Sequence, residues 1–344
     1  MADPPVLQTT NKHQVSQFPT PQKTSTSMSN NSCAYDKVFN EPAFLFVYVV
    51  IFVLSVVLNS IVCWVVKKNP LMQTNTNYLL VNLAIADILA TVLSIFHVVD
   101  YLTIDLHLGN IACKFRGSLV YICHGASVFT LTAVAHERYH AICKPLLNHG
   151  RSIPVKRIIM QTWLLAILIH IPAMVFCGTQ KYQHKQASCM CFERFPSRGV
   201  AQAYAISRYL MVYVLPLILV INRYLAVVLN LRKQSSSSVA ANQTGCRSIK
   251  KKKHAVKMLI TSSVFFFIAW TPFYTSYLLR DTGVEKKAVY SFVWYLSMLL
   301  ALANCAYNPV IYCLLGKNFR KGFNAVIFSC CRQNKCDKVS EQQA

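Results

Sequence analysis

Acidic side chains are scarce: 12 Asp and Glu stand against 35 Lys and Arg, and charged residues of both signs make up only 14% of the 344 positions. The first 42 residues lack a basic start followed by an apolar run, so no cleaved signal peptide is expected and the first apolar block is the expected targeting signal. No internal repeat is apparent, which counts against a transporter built from duplicated halves. Nucleophile, base and oxyanion donors do not gather into a catalytic constellation, which argues against an enzyme.

What is present is apolar, at 54% of the chain. It falls into seven blocks, roughly 43–66, 76–101, 114–136, 157–177, 203–229, 256–279 and 289–315, each near the ~20 residues that cross a bilayer as a helix. The expected fold is therefore an all-α membrane protein, a seven-transmembrane helix bundle. If residues 1–42 lie outside, the inner segments and helix ends hold 22 Lys or Arg against three acids, and the outer ones 13 against eight. The positive-inside rule then places the N-terminus outside. A net charge of +23 would ordinarily raise nucleic acid as a partner, but the densest run, Lys250 to Lys253, abuts an apolar block. It reads as juxtamembrane charge facing the anionic lipid bilayer or an acidic partner, so no nucleic acid is expected.

Residues 1–42 are rich in Pro, Gln, Ser, Thr and Asn, and read as a disordered extracellular N-terminus with a glycosylation sequon at Asn30. The seven-span bundle occupies 43–315. Residues 316–344 read as an inner amphipathic helix and cytoplasmic tail, with Cys330 and Cys331 placed for S-acylation. Cys33, Cys113, Cys189 and Cys191 lie outside, and Cys113, at the top of the third span, can tie down the loop between spans four and five. Ser235 to Ser238 form a run in a loop expected to be disordered, flanked by Arg232, Lys233 and the lysine cluster, and suit phosphorylation.

Polar residues inside the spans single themselves out. Asp87 is a carboxylate near the bilayer middle, and Ser127, Asn304 and Asn308 are able to converge with it around a small hard cation. The bland alternative is a neutral Asp held by hydrogen bonds between helices. The third span closes on Glu137, Arg138 and Tyr139, an acid-base pair at the water boundary. Pro172, Pro216, Pro272 and Pro309 each remove a backbone hydrogen bond and predict a kink or hinge.

Taken together, Asn59, Asn82-Leu83-Ala84-x-x-Asp87, Cys113, Glu137-Arg138-Tyr139, Trp163, Pro216 with Tyr224, Phe266-x-x-x-Trp270-x-Pro272 and Asn308-Pro309-x-x-Tyr312 resemble the rhodopsin-like (class A) G-protein-coupled receptors over about residues 43–331. The resemblance implies an allosteric sodium site at Asp87, Ser127, Asn304 and Asn308, and a repacking core of Val128, Pro216 and Phe266. It further implies that Arg138, Tyr224 and Tyr312 rearrange when the inner ends of helices five and six swing outward, and that Cys113 and Cys191 form a disulfide. No cofactor beyond that ion is implied. The implied partners are a heterotrimeric G protein, a receptor kinase and arrestin, at the plasma membrane. Three departures stand out: Ala269 replaces a frequent Cys, Leu106 a usual Trp, and Lys252 an acid that in some members locks the arginine. Glu137 is then the main restraint on Arg138.

The resemblance also narrows the ligand. Val120 stands where amine receptors have an aspartate, and no lysine near Leu302 offers the Schiff base of an opsin. His97, Asp100, Tyr121 and His124 come from spans two and three. Trp270, Phe273, Tyr277 and Arg280 recur on one face of span six, and Trp294 begins span seven. Arg208, two turns above Pro216, points inward, where a guanidinium needs an anion. It either closes a salt link within the bundle, snorkels outward, or meets a ligand's carboxylate, amide carbonyl or acidic side chain. The stretches Thr76 to Leu83 and Cys191 to Pro196 look like tachykinin and neuropeptide FF receptors, so an extracellular peptide ligand is expected. The alternatives are a lipid or small acidic metabolite, or, outside the receptors, a channel or carrier, which would need a continuous polar file.

Overall fold

A helix in hydrocarbon satisfies its own backbone polar groups, so each apolar block closes on itself. The computed structural model describes residues 42–102, 109–145, 153–181, 189–193, 195–238, 243–279 and 287–325. Seven of its helices are long and apolar enough to cross a membrane. They are α1 (Pro42–Lys68), α2 (Asn75–Leu102), α3 (Gly109–Cys143), α4 (Val155–Phe176), α5 (Arg198–Tyr209 continuing through Leu215–Ser238), α6 (Gln243–Leu279) and α7 (Lys287–Leu315). A 3-10 turn, Pro70–Met72, capped by the Asn69 side chain, joins α1 to α2. A short helix, α8, covers 317–325.

Helix α3 is the axis. It packs against α2, α4 and α5, and is the most buried span, whereas α4 is the least. Gly125 explains the close approach of α4: a Cβ there would lie 3.1 Å from both the Ala166 Cβ and the His170 Cε1. The core runs along α3 through Ala126, Val128, Leu131 and Val134 to Phe266 on α6 and Tyr312 on α7. Phe319 and Phe323 fasten α8 to this core, and Gly322 lets it lie against Val65 of α1.

Four local features depart from the expectations. The connection between α4 and α5 contains an antiparallel hairpin, β1 (Cys177–Lys181) paired with β2 (Cys189–Glu193), with Cys177 opposite Glu193. Next to Pro216, α5 contains a π turn, Leu210–Val214, in which the Leu215 N–H reaches the Leu210 carbonyl. A π turn is a frequent device at functional sites, and here it locally changes the hydrogen-bond register of the helix beside the proline, which itself donates none. The serine run is helical: α5 continues to Ser238, and the Ser236 hydroxyl donates to the Lys233 carbonyl at 2.9 Å. Finally, α6 begins at Gln243, well before its apolar block. At 1.5 Å per residue its 37 residues span about 55 Å, against a hydrocarbon core of about 30 Å. Apolar content marks the lipid-crossing part of a helix, and backbone propensity carries it further into water.

Candidate functional site

The polar groups assemble in three layers along α3. In the middle, Asp87 is 2% exposed. Its Oδ1 accepts from the Ser127 hydroxyl at 3.1 Å and its Oδ2 from the Asn308 amide at 2.9 Å. The Asn308 Oδ1 in turn accepts from the Ser262 hydroxyl at 2.6 Å, which ties α6 to the same carboxylate. Asn304, one turn earlier on α7, is buried, and its Oδ1 has no hydrogen-bond partner among the described residues. Two flanking networks tie α1 to α7 and α2 to α3 and α4. The Asn59 amide donates to the Cys305 carbonyl at 2.7 Å, and Trp163 donates to Asn82, whose amide donates to Thr130 at 2.7 Å. Partners of this kind offset the cost of keeping polar groups inside an apolar bundle.

Toward the hairpin end, α3 presents His124 and Tyr121. The His124 ring lies against Trp270, with centroids 3.3 Å apart, and is also near Phe266, at 5.6 Å. Its Nε2 lies 2.9 Å from the Tyr274 hydroxyl. Above this stack Tyr121 meets Phe273 at 6.2 Å. Arg208 of α5 is 2% exposed, with its guanidinium 3.7 Å from the Tyr277 ring centroid, 4.7 Å from Tyr121 and 5.5 Å from Tyr204. Its Nη1 is 3.6 Å from the Glu193 Oε1, and the Tyr277 hydroxyl donates to the other Glu193 oxygen. Cation-π contacts and one carboxylate are what a desolvated guanidinium requires. Of the three roles open to Arg208 in the sequence, this arrangement displays the salt link, and its partner comes from β2 rather than from a spanning helix.

At the opposite end, the Arg138 Nε lies 3.4 Å from the Glu137 Oε2, and Glu137 also accepts from the Thr76 hydroxyl. Tyr139 is covered by the Arg223 guanidinium at 4.8 Å. Tyr224 and Tyr312 are buried nearby in the core, and neither hydroxyl has a hydrogen-bond partner among the described residues. Pro272 and Pro309 lie inside α6 and α7, where the Ser276 hydroxyl takes the Pro272 carbonyl at 2.8 Å.

The structure thus gathers Asp87, Ser127 and Asn308 in one layer, Tyr121, Arg208, Phe273 and Tyr277 in a second, and Glu137 with Arg138 in a third. His97 and Asp100 fall on α2 and Trp294 on α7, with side chains outside the described residues; the same holds for the side chains of Cys113 and Cys191. Arg280, Asn30, Cys330 and Cys331 lie outside the described residues altogether. Sequence reasoning missed Glu193, Tyr204, Tyr274 and Thr76. Tyr204 was detectable, since it precedes Arg208 by four residues and shares its helix face. The others depend on contacts between elements.

A seven-helix bundle with a buried polar centre, an aromatic cluster under a hairpin and a restrained arginine at the far end defines a transmembrane receptor rather than an enzyme. The chain belongs to the 7 transmembrane receptor (rhodopsin family), whose pattern matches residues 58–312. It is 32% identical over 290 residues to the Substance-P receptor of Rattus norvegicus, covering 83% of this chain and 70% of that one. To the Neuropeptide FF receptor 1 of Rattus norvegicus it is 31% identical over 304 residues, covering 82% and 69%. To the Neuropeptide FF receptor 2 of the same organism it is 30% identical over 317 residues, covering 88% and 75%.

Proposed function

We propose that the chain is a plasma-membrane receptor, with its N-terminus and hairpin end outside, that binds an extracellular peptide and activates heterotrimeric G proteins. The observation that carries this reading is the hairpin-end cluster: a buried guanidinium ringed by Tyr121, Tyr204 and Tyr277, in a chain similar along most of its length to receptors named for substance P and neuropeptide FF. The excess of Lys and Arg in the inner segments supports the orientation. A carboxylate or acidic side chain of the peptide meets Arg208, and the stack of His124 on Trp270 lies directly below.

The middle layer serves as an allosteric sodium site. The Asp87 carboxylate, the Ser127 hydroxyl and the Asn304 oxygen, which has no hydrogen-bond partner among the described residues, are hard oxygen donors, which fit a small hard cation. At the inner end, Arg138 exchanges Glu137 for the G protein while the buried hydroxyls of Tyr224 and Tyr312, which have no close hydrogen-bond partner among the described residues, find new partners. Receptor kinase and arrestin act at Ser235 and Ser236, beside Arg232 and Lys233.

The reading is tested by applying free-acid and amidated peptides to cells that express the chain, with G-protein dissociation as the readout. Dissociation driven by a peptide supports it; dissociation driven only by a fatty acid or a small acidic metabolite replaces the peptide with that class. With an acidic peptide agonist in hand, Arg208→Gln is expected to weaken it far more than its neutral analogue. A charge-assisted bond of about 1.5–3 kcal/mol corresponds to roughly tenfold to a hundredfold in affinity. Equal losses for both ligands would make Arg208 a structural residue.

A further inference from the structure

Glu193 is the last residue of β2, and it carries the one carboxylate that reaches Arg208 among the described residues. The link is looser than an optimised pair. Arginine and carboxylate at their best form two parallel bonds of about 2.7–2.9 Å. Here the separation is 3.6 Å, and neither Nη of Arg208 closes a hydrogen bond among the described residues. The second Glu193 oxygen is taken by the Tyr277 hydroxyl. Meanwhile the guanidinium carbon lies over the rings of Tyr277 and Tyr121, at 3.7 and 4.7 Å from their centroids. What the cluster leaves to be improved is the in-plane fork of the arginine, the edge that recognises carboxylates.

We infer that Glu193 is a tethered competitor: β2 holds its carboxylate in the subsite where the acidic group of an extracellular ligand docks on Arg208, and ligand binding exchanges one carboxylate for the other. This rests on the reading of Arg208 as a ligand contact and adds how the ligand is selected. A neutral ligand that displaced Glu193 would strand a buried cation, which is strongly unfavourable, whereas an acidic ligand replaces the lost partner and completes the fork. The exchange is feasible because it needs only a turn of the Glu193 side chain. Arg208 is ringed by three aromatic side chains on a membrane-spanning helix, while Glu193 extends from a strand of a connecting segment, opposite Cys177, and rotamer changes at a binding surface are common. Release of Glu193 also breaks its bond with the Tyr277 hydroxyl, so occupancy of the subsite is felt on α6, one turn beyond Phe273 and two beyond Trp270. The ligand class is accordingly one with an accessible carboxylate, a C-terminal free acid or an acidic side chain, carried next to an aromatic or apolar group that fits the tyrosines.

The test uses the full-length chain in lipid nanodiscs, with N-acetylphenylalanine as the acidic probe and its C-terminal amide as the neutral one. Reaction of Arg208 with phenylglyoxal, mapped by mass spectrometry, reports whether the guanidinium is covered. In the wild type Arg208 should react slowly. In Glu193→Gln it should react at least tenfold faster, and the free acid should slow it again at a concentration at least tenfold lower than the wild type requires, while the amide gives no protection. Tyr277→Phe keeps every charge and removes only the hydroxyl that holds Glu193; it should shift acid protection in the same direction by a smaller step. Equal protection by acid and amide, or protection by acid that is the same in all three proteins, would overturn the inference. The readout involves no G protein, so a failure of coupling to Gα leaves this result standing and counts only against the receptor function proposed above.

Discussion

Arg138→Ala is expected to abolish nucleotide exchange on Gα while leaving ligand binding measurable. Arg138 lies 18 residues after Val120 in the same helix, about 27 Å further along at 1.5 Å per residue, beyond the reach of a ligand held at the hairpin end. Its present partner is Glu137, itself steadied by Thr76 of α2. The pair is about a quarter exposed, with side-chain exposures of 25% and 21%, so solvent screens it and the bond is weak enough to exchange. Lys252, at the inner end of α6, supplies no second acid. A partner protein with acceptors for the guanidinium therefore competes against the Glu137 carboxylate, its one ion-pair partner among the described residues. Radioligand binding and GTPγS uptake measured on the same membranes separate the two functions, with surface expression checked in parallel. Normal GTPγS uptake by the variant would contradict the assignment of the α3 end as the coupling site.

The second large effect is at the centre. Asp87→Asn should abolish the dependence of agonist affinity on sodium. Sodium can shift a two-state equilibrium only through its different affinity for the two states, and a coupling of about 5–150-fold is the ordinary range for allosteric pairs. Asparagine keeps the shape and one acceptor oxygen for the Ser127 hydroxyl while deleting the charge that a cation needs. Alanine is the poorer probe. It would strand the Ser127 hydroxyl and the Asn308 amide, at about 1–3 kcal/mol for each buried group left unsatisfied. Agonist competition curves with sodium exchanged for a bulky organic cation decide the matter: a wild type indifferent to the exchange would make the Asp87 cluster purely structural.

The parts of this structure that were legible in the sequence are those set within one helix. Seven apolar blocks announce seven helices, because hydrocarbon leaves the backbone no other way to satisfy itself. Asn304 and Asn308 share a face because they are four residues apart, and Asp87 had to find partners because a bare carboxylate is not tolerated there. The structure brings it to Ser127 and Asn308. Arg208 was expected to point inward and does. Its partner was not legible, since Glu193 reaches it from a strand whose pairing with Cys177–Lys181 is a tertiary fact. Thr76 with Glu137 and His124 with Tyr274 are likewise pairs of distant residues whose meeting depends on how helices cross. The serine run misled for a different reason. Polar composition suggests disorder, yet Ser235 to Ser238 directly continue a 24-residue helical segment whose end they form, and extending an existing helix costs far less than nucleating one.

The most direct measurement is GTPγS binding by purified Gα heterotrimer, mixed with the full-length chain in lipid nanodiscs and exposed to the peptide that scores best in the cell screen, in its free-acid and amidated forms. The account predicts exchange stimulated by the peptide in the wild type, retained in Glu193→Gln, weakened in Arg208→Gln and absent in Arg138→Ala. Peptide-stimulated exchange undiminished in the Arg138 variant, or exchange in the wild type that responds to a fatty acid and to no peptide, would contradict it.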